Sequence, residues 1–246
     1  MLIMMKTDIG EPYVPQVVLA VGAHADDIDF GASGSLAAWA KQGAHIEYLV
    51  MTDGSKGSSD LAIHPEDLIA TRQKEQRAAA KLLGAKEVHF FGYEDGNLEL
   101  TQELKKRIVK LIRQLRPDTV VVMDPTMVYS SKLGFVNHTD HRVAGQATLD
   151  AVYPFTRDHL SFPDLYAEGL KPHKVAHLLL INLEKHNCFI DISETLDLKL
   201  DVLCTHVSQI PDVQKVRAML EARAKSLGQE AGMRYAEGFI RLDLPL

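Results

Sequence analysis

Two short clusters of histidine and carboxylate residues are the part of this sequence best suited to chemistry. The first, His24-Ala-Asp-Asp27, follows a run of strand-type residues over 16–22. The second, Asn137-His-Thr-Asp-His-Arg142, lies beyond another such run, over 119–123. Ligands of open α/β sheets bind beyond the carboxyl ends of the strands, so we expect the two clusters to form one site there. Imidazole nitrogens and carboxylate oxygens suit zinc and similar ions, and such a site does not require cysteine.

The spacing within each cluster indicates which side chains can cooperate. His138 and His141 are three residues apart and therefore neighbours on one face of a helix. A loop after the first strand can turn His24 and Asp27 towards one ion and leave Asp26 beside it. Two histidines and one carboxylate leave coordination positions open, as catalytic sites do. A spare carboxylate beside an activated water is a natural general base, and a spare imidazole can stabilise an oxyanion or protonate a leaving amine.

The composition excludes several other classes of protein. The chain has 246 residues, 46% of them hydrophobic, and we predict a single domain over 1–246. A formal net charge of −6 gives no basic surface for nucleic acid, so no nucleic-acid partner is expected. No apolar run is long enough for a membrane span, and Asp8 and Glu11 precede any apolar segment that could be a signal peptide. Cys188 and Cys204 form no Cys-x-x-Cys motif, which fits a reducing, cytoplasmic location.

Strand-type and helix-type segments alternate along the chain, which predicts an α/β fold with a mostly parallel sheet between two helical layers. Strands are predicted at 16–22, 45–52, 88–91, 119–123, 175–183 and 188–192, with a short one near Phe239. Helices are predicted at 31–42, 65–83, 101–115, 138–152, 194–206 and 213–227. The polar loop 53–60 is expected to form a rim of the site, and the Pro-containing segment 153–172 is expected to be an irregular lid or interface.

A dinucleotide-binding oxidoreductase is the strongest rival that this fold class suggests. Its fingerprint is Gly-x-Gly-x-x-Gly, whose backbone amides must be open to a pyrophosphate. The turn after the first strand instead contains Asp26, Asp27 and Asp29, which would repel phosphate groups. We therefore reject this alternative on its chemistry.

The two clusters resemble known motifs. Ala23-His-Ala-Asp-Asp27 is similar to the Ala-His-Pro-Asp-Asp motif, and His138-Thr-Asp-His141 to the His-x-Asp-His motif, of the PIG-L/LmbE-like zinc-dependent N-acetylglucosamine deacetylases. The resemblance spans nearly the whole chain through shorter segments: Thr52-Asp-Gly54, Arg72-Gln-Lys-Glu75, Phe91-Gly-Tyr-Glu-Asp-Gly96, and Lys199 to Gln209. It implies a Rossmann-like three-layer α/β/α fold. It also implies a hydrolase that removes acetyl from an N-acetylglucosamine-containing conjugate or a similar small N-acyl amide.

Roles for individual residues follow from the resemblance by position. It implies three ligands for zinc or another divalent ion: His24, Asp27 and His141. It implies that Asp26 is the general base, and that His138, steadied by Asp140, stabilises the oxyanion or acts as the acid. The role of His206 stays open at this stage.

Other positions of the resemblance carry less specific implications. Arg72 and Asp95 fall where the family places groups that contact substrate. Ala25 stands where the family usually has proline, which would confine the preceding His24 to extended conformations. We expect a looser loop at Ala25 but a working site. Asp53 stands where glutamate is common, so the rim is expected to differ in detail.

These observations predict a cytoplasmic, metal-dependent N-deacetylase. The expected partners are a small N-acetylated amino-sugar substrate and further copies of the chain in a homo-oligomer. The alternative is a non-catalytic carbohydrate- or metal-binding protein on the same scaffold. Binding alone would not need Asp26 and His138 beside the metal, which favours the enzyme.

Overall fold

A computed structural model describes residues 4–8 and 10–245 of the chain. Its strands are β1 (Met5–Thr7), β2 (Val17–Gly22), β3 (His45–Thr52), β4 (Glu87–Tyr93), β5 (Thr119–Met123), β6 (Tyr129–Ser130), β7 (Phe135–Val136), β8 (His177–Ile181), β9 (Cys188–Asp191) and β10 (Ala236–Asp243). Its helices are α1 (Asp27–Lys41), α2 (Pro65–Leu83), α3 (Gln102–Leu115), α4 (Thr139–Asp150), α5 (Pro163–Ala167), α6 (Leu196–Leu203) and α7 (Val213–Ala231). A π-helical turn, Ala151–Phe155, continues α4.

Eight of the strands form one twisted sheet in the order β1-β9-β10-β8-β5-β2-β3-β4. The five consecutive strands β8, β5, β2, β3 and β4 are parallel to one another. At the other end of the sheet, β10 pairs antiparallel with both β8 and β9, and β1 pairs antiparallel with β9. The predicted mostly parallel sheet is therefore confirmed.

Both faces of the sheet are covered by helices. Along β2, Val18 and Ala20 belong to one core cluster, which also contains residues of α1 and α2. Leu19 and Val21 point to the other face and pack with residues of α3 and α4. A parallel strand that is buried on both faces needs apolar residues at successive positions, which explains its uninterrupted apolar sequence. The predicted three-layer α/β/α architecture is confirmed.

Several elements differ from the sequence-based expectation. Helix α1 begins at Asp27, four residues before the predicted start, because the acidic residues there form the first helical turn. Strands β1, β6 and β7 contain only two or three residues, too few to show an alternating pattern. The terminal strand β10 has eight residues and is not short.

The segment 153–172 lies on the side of the sheet covered by α3 and α4. Its Leu165 packs in the same core cluster as residues of those helices. Arg113 of α3 donates hydrogen bonds to the carbonyl oxygens of Phe155 and Asp158, at 3.1 and 2.7 Å. The segment is therefore fastened to α3. Among the described residues, no helix is long and apolar enough to cross a membrane.

The close packing of α4 against β5 brings the second cluster to the edge of the sheet. A Cβ atom at Gly145 of α4 would lie 2.5 Å from the carbonyl oxygen of Met123, at the end of β5. Glycine is therefore required at this point of contact. The N-terminus of α4 consequently lies beside the N-terminus of α1, since β5 and β2 are neighbours in the sheet.

Candidate active site

Three side chains from the two clusters converge beyond the carboxyl ends of β2 and β5. His24 Nδ1 lies 3.3 Å from His141 Nε2. Asp27 Oδ1 lies 3.0 Å from His141 Nε2, and Asp27 Oδ2 lies 3.7 Å from His24 Nδ1. The other carboxylate oxygen, Asp27 Oδ2, accepts hydrogen bonds from the backbone amides of Ala23 and His24, which fixes the carboxylate.

These separations fit a tetrahedral metal ion. Zinc bonds to nitrogen and oxygen at about 2.0–2.1 Å, so two of its ligand atoms lie about 3.3 Å apart. His24 Nδ1 and His141 Nε2 match that separation, and Asp27 Oδ1 lies within a few tenths of an ångström of it from His141 Nε2. The ring nitrogens of His24, His138 and His141 also lie within 4.8 Å of one another, so three imidazoles surround the same point. The donor set and its spacing therefore suit a divalent cation.

The two histidines are held in orientation from behind. His24 Nε2 lies 3.1 Å from Asp95 Oδ1 and 3.3 Å from Asp140 Oδ2, so its Nδ1 faces the point of convergence. His141 Nδ1 lies 3.1 Å from Asn137 Oδ1, which turns its Nε2 the same way. Metal-binding histidines characteristically use their second nitrogen in this manner.

Electrostatics favours a cation at this point. Burial opposes protonation of His24, but its hydrogen bonds with Asp140 and Asp95 outweigh burial and raise its pKa to about 10. Burial likewise opposes ionisation of Asp27, but His141 and His24 hold the pKa of this carboxyl well below its usual range. The carboxylates around His24 stabilise a positive charge on its imidazole. The same carboxylates would stabilise the positive charge of a bound metal ion.

Asp26 lies beside this group in an unusual backbone conformation. Its φ of 95° is in the region that favours glycine, and its amide donates to Gln76 Oε1 at 2.9 Å. Burial, followed by the charge of Asp27, raises the pKa of Asp26 to about 7, although Arg72 opposes the change. Strained residues occur disproportionately at functional sites, and a pKa near neutrality suits a general base.

His138 is the N-cap of α4 and lines the cavity in front of the cluster. Its Nδ1 accepts a hydrogen bond from the backbone amide of Asp140 at 3.2 Å. In a neutral ring an accepting Nδ1 places the proton on Nε2, which becomes a donor. Burial, with the charge of His24, lowers the pKa of His138, so the neutral form is favoured.

Asp140 is closer to His24 than to His138. Its Oδ2 lies 3.3 Å from His24 Nε2 and 4.0 Å from His138 Nδ1. The carboxylate also accepts hydrogen bonds from the amides of Gly96 and Leu98, at 2.7 and 3.3 Å. Asp140 therefore connects α4, the loop after β4 and His24, while it touches His138 mainly through its own backbone amide.

Arg72 and Asp95 lie behind the site. The guanidinium of Arg72 donates to the carbonyl oxygens of Gly54, Lys56 and Ala25, at 3.2–3.3 Å. Asp95 Oδ2 accepts from the amide of Lys56 at 3.2 Å. Both side chains are almost fully buried, and they join the loops after β2, β3 and β4. Their contact with substrate stays a prediction.

A cavity of about 810 Å³ opens in front of the cluster. The segment 124–137 supplies Met127, Leu133, Phe135, Val136 and Asn137 to its wall. Among the described residues, the predicted rim 53–60 and the segment 153–172 supply no part of this wall. The segment after β5 therefore shapes the cavity, and the predicted rim does not.

A second polar group lies behind α1, and the sequence did not reveal its contacts. His206 Nε2 lies 2.8 Å from Asp29 Oδ2, and both side chains are fully buried. Gln76 Nε2 donates to the same carboxylate at 2.9 Å, and the hydroxyl of Tyr48 donates to its other oxygen at 3.0 Å. Lys199 Nζ donates to the carbonyl oxygen of Asp29 at 3.1 Å. His206 thus belongs to the support of α1.

Two supporting residues could have been found from spacing. Gln76 lies four residues after Arg72 and therefore on the same face of α2, which points towards the site. Asn137 directly precedes His138 and lies four residues before His141. The contact between His206 and Asp29 joins residues 177 positions apart, so no local pattern indicates it.

Comparison with known proteins places these features in a family. Residues 19–152 match the family model PIG-L, GlcNAc-PI de-N-acetylase. The chain is 35% identical over 233 residues to diacetylchitobiose deacetylase of Thermococcus kodakarensis, covering 94% of this chain and 85% of that protein. It is 27% identical over 198 residues to a probable N-acetyl-alpha-D-glucosaminyl L-malate deacetylase 2 of Bacillus anthracis, covering 78% and 80%.

A solved structure agrees with these sequence similarities. N,N'-diacetylchitobiose deacetylase from Pyrococcus horikoshii, in complex with an inhibitor, superposes with a TM-score of 0.86 and 31% identity, covering 93% of this chain and 84% of that chain. The matched segment 19–152 contains both clusters. The predicted resemblance and the predicted hydrolase class are confirmed. This chain belongs to the PIG-L family and is an N-deacetylase.

Proposed function

We propose that this enzyme removes the acetyl group from an N-acetylglucosamine-containing conjugate or a similar small N-acyl amide, with a divalent ion held by His24, Asp27 and His141. The observation that carries the proposal is the convergence of these donor atoms at 3.0–3.7 Å beside Asp26 and His138. Zinc is the proposed metal, because it commonly binds two imidazoles and one carboxylate with an open position. Zinc could be replaced by another divalent ion with the same preferences.

A divalent ion bound there would polarise the amide carbonyl and make a water molecule more acidic. The protein's own residues supply the remaining steps. Asp26 accepts a proton as the water attacks the carbonyl carbon, and burial with the charge of Asp27 raises the pKa of Asp26 towards the range that suits a general base. Asp26 then passes the proton to the amine as the carbon–nitrogen bond breaks.

His138 is the proposed oxyanion donor. Its Nε2 carries the proton in the tautomer that the hydrogen bond at Nδ1 favours. A neutral, preoriented N–H group stabilises the negative charge that develops on the carbonyl oxygen. The lowered pKa of His138 supports this role over that of the acid.

The relatives suggest the class of substrate. Their names specify diacetylchitobiose and N-acetylglucosaminyl malate, and both contain an N-acetylated glucosamine. We assign the same chemical class to this enzyme. For Arg72 and Asp95 we propose contact with the substrate, as the resemblance implies, together with support of the loops and of His24, since Arg72 donates to the carbonyl oxygens of Lys56 and Ala25 and Asp95 lies beside His24 Nε2.

We also propose a domain organisation, an oligomeric state and a location for this protein. The chain forms one domain over 1–246, since the eight-stranded sheet runs through both halves. It assembles as a homo-oligomer, because Val128, Tyr129, Leu133 and Val136 expose apolar side chains on and beside the β6–β7 hairpin. It acts in the cytoplasm, because Cys188 and Cys204 are free thiols.

A substrate screen tests the proposed activity. N-acetylglucosamine, diacetylchitobiose and N-acetylglucosaminyl conjugates with different aglycones would be incubated with the zinc-loaded protein. Release of acetate and of a matching amount of free amine is the expected result. Tight binding of these sugars without release of acetate would favour the non-catalytic alternative. The presence of Asp26 and His138 beside the cluster supports catalysis.

A further inference from the structure

The cavity has the cluster at one end, and most of the residues that line the rest of its wall are apolar. Asp26, Asp27, His138 and His141 line that end. Farther on, the wall is formed largely by apolar side chains, among them Phe30, Met127, Phe135, Ile181, Leu183 and Leu220. Phe30 and Asp27 are three residues apart in the first turn of α1, so the apolar wall begins directly beside the cluster.

Charged and polar groups in the apolar part are already engaged with the protein. Lys199 Nζ lies 2.7 Å from Glu237 Oε1, within an ion pair that is almost fully buried. Asn182 Nδ2 donates to Asp124 Oδ2 at 2.6 Å. Arg223 donates through both terminal nitrogens to the carbonyl oxygen of Leu183, at 3.2 Å. Hydroxyl groups of a sugar would lose water there and gain few partners, whereas a hydrocarbon group would lose nothing.

The size of the cavity exceeds the needs of an acetyl group. Pockets of about 300–1,000 Å³ accommodate ligands of drug size, and this cavity of about 810 Å³ lies in the upper part of that range. Met123, Met127 and Met219 also line it. Methionine side chains are flexible and polarisable, and they adapt to apolar ligands of different shape.

We propose that this cavity binds the N-acyl chain, and that the enzyme removes medium-length acyl groups from amino sugars more efficiently than it removes acetyl. This inference rests on the deacylation proposed above. The reaction is balanced in the same way for any chain length: water adds to the acyl carbon, the carbon–nitrogen bond breaks, the amine leaves with a proton and the acyl group leaves as a carboxylate. The acyl chain is bonded directly to the carbon that must reach the cluster. It therefore enters the adjacent apolar wall first, while the hydroxylated ring lies towards the exposed His138.

A substrate series tests the proposal. Glucosamine carrying acetyl, butanoyl, hexanoyl or octanoyl on nitrogen would be compared by kcat/KM with the zinc-loaded enzyme. Burial of each methylene should raise kcat/KM by about twofold to fourfold until the cavity is full. Constant or falling values of kcat/KM along the series would overturn this inference. Release of acetate from the acetyl compound would still support the proposed function in that case. Failure to hydrolyse any member, acetyl included, would instead overturn the proposed function itself.

A second arm distinguishes the acyl chain from an apolar aglycone. The octyl glycoside of N-acetylglucosamine places the same hydrocarbon at the anomeric carbon. We expect it to gain less than threefold in kcat/KM over the methyl glycoside. A gain that matches the N-octanoyl compound, or exceeds it, would assign the cavity to the aglycone and contradict the proposal.

Two glutamate variants on α7 test the location. Met219 is exposed and lines the cavity, whereas Val213 is exposed on the same helix and does not line it. Met219→Glu should lower the ratio of kcat/KM for octanoyl to kcat/KM for acetyl by about tenfold. Val213→Glu should leave that ratio within twofold of the parent. Binding of free octanoate, measured by calorimetry, should weaken in parallel for Met219→Glu only. An unchanged ratio and unchanged octanoate binding in Met219→Glu would contradict the placement.

Discussion

Two carboxylate–histidine pairs lie on opposite sides of the first turn of α1, and they have similar geometry but different surroundings. Asp27 and His141 approach to 3.0 Å, and Asp29 and His206 approach to 2.8 Å. The first pair borders the cavity, with 10% and 21% of its side chains exposed. The second pair is 0% exposed.

The difference lies in what surrounds each carboxylate. Asp29 receives hydrogen bonds from Tyr48, Gln76 and His206, so its acceptor positions are filled by the protein. The Asp27 carboxylate faces a second imidazole and the open cavity, which leaves room for an ion and a substrate. Residues two apart on a helix point in nearly opposite directions, so one turn of α1 supplies both environments. A carboxylate–imidazole contact can therefore serve a function where the carboxylate keeps free acceptor positions. It is structural where the protein fills those positions.

The open pair is Asp27 with His141, which borders the cavity. Removal of this pair, or of the neighbouring His24, should have the largest effect on activity. The variants His24→Ala, Asp27→Ala and His141→Ala should each lose most of the bound metal, while the chain stays folded. Activity should fall by more than the 10–100-fold typical of lost supporting contacts. Elemental analysis after dialysis gives the metal content, with the exposed His159→Ala as the control. Full metal occupancy in all three variants would refute the ligand assignment.

Variants of Asp26 and His138 should have the next largest effect, and they separate catalysis from metal binding. Asp26→Asn preserves size but cannot accept a proton, so kcat should fall by about 10²–10⁴-fold with the metal retained. The exposed Asp60→Asn serves as the control and should behave like the parent. Parent-like deacetylation by Asp26→Asn would place the base elsewhere. His138→Ala should also keep its metal and lose rate, and loss of metal there would show that His138 is a ligand.

The buried pair should affect stability, and in a pH-dependent way. Burial opposes protonation of His206, but the hydrogen bond and charge of Asp29 raise its pKa. The protonated His206 stabilises the folded protein fully when the pH is below the pKa of histidine in the unfolded chain, about 6.5. This stabilisation is lost as the pH rises through the pKa of His206 in the folded protein. His206→Ala should cost about 3–5 kcal/mol in the free energy of unfolding at acidic to neutral pH.

Chemical denaturation across pH would check the buried pair. The cost of His206→Ala should shrink as the solution becomes alkaline. His177→Ala is the matched control, since His177 lies 2.7 Å from Asp243 in a partly exposed pair. Exposed pairs contribute about 0–1 kcal/mol, so its cost should be much smaller. A cost for His206→Ala that grows with pH would contradict the protonated pair.

The smallest effect concerns Ala25, in the loop that precedes both Asp27 and Asp29. Ala25→Pro should be tolerated and should stabilise the protein by about 0.4–1 kcal/mol, because proline restricts the unfolded chain. The contact of Ala25 with Arg72 uses its carbonyl oxygen, which proline retains. Metal affinity should hold or rise slightly, since His24 becomes more restricted. A melting temperature several degrees lower together with lost metal would show that this loop differs from that of the family.

Much of the fold and of the open pair could be predicted from local patterns. The strands 45–52 and 119–123 consist largely of apolar residues that become buried, and the structure retains those bounds. His24 closely follows β2, and His141 lies in the first turn of α4, the helix that follows β5, so sheet topology makes their meeting expected. The buried pair was not predictable, since His206 reaches Asp29 only through the packing of α6 against α1. The apolar cavity also escaped prediction, because its wall combines α1, α7 and the segment after β5.

Titration of the metal-free enzyme with zinc shows whether deacetylation requires an ion bound by His24, Asp27 and His141. The protein would be stripped by chelation, shown to remain folded, and then loaded stepwise while acetate release from an N-acetylglucosamine conjugate is followed. We predict that activity rises from background in proportion to zinc and reaches a plateau at about one ion per chain, and that His141→Ala stays inactive throughout. Undiminished acetate release by the stripped protein, or restored activity in His141→Ala, would contradict this prediction.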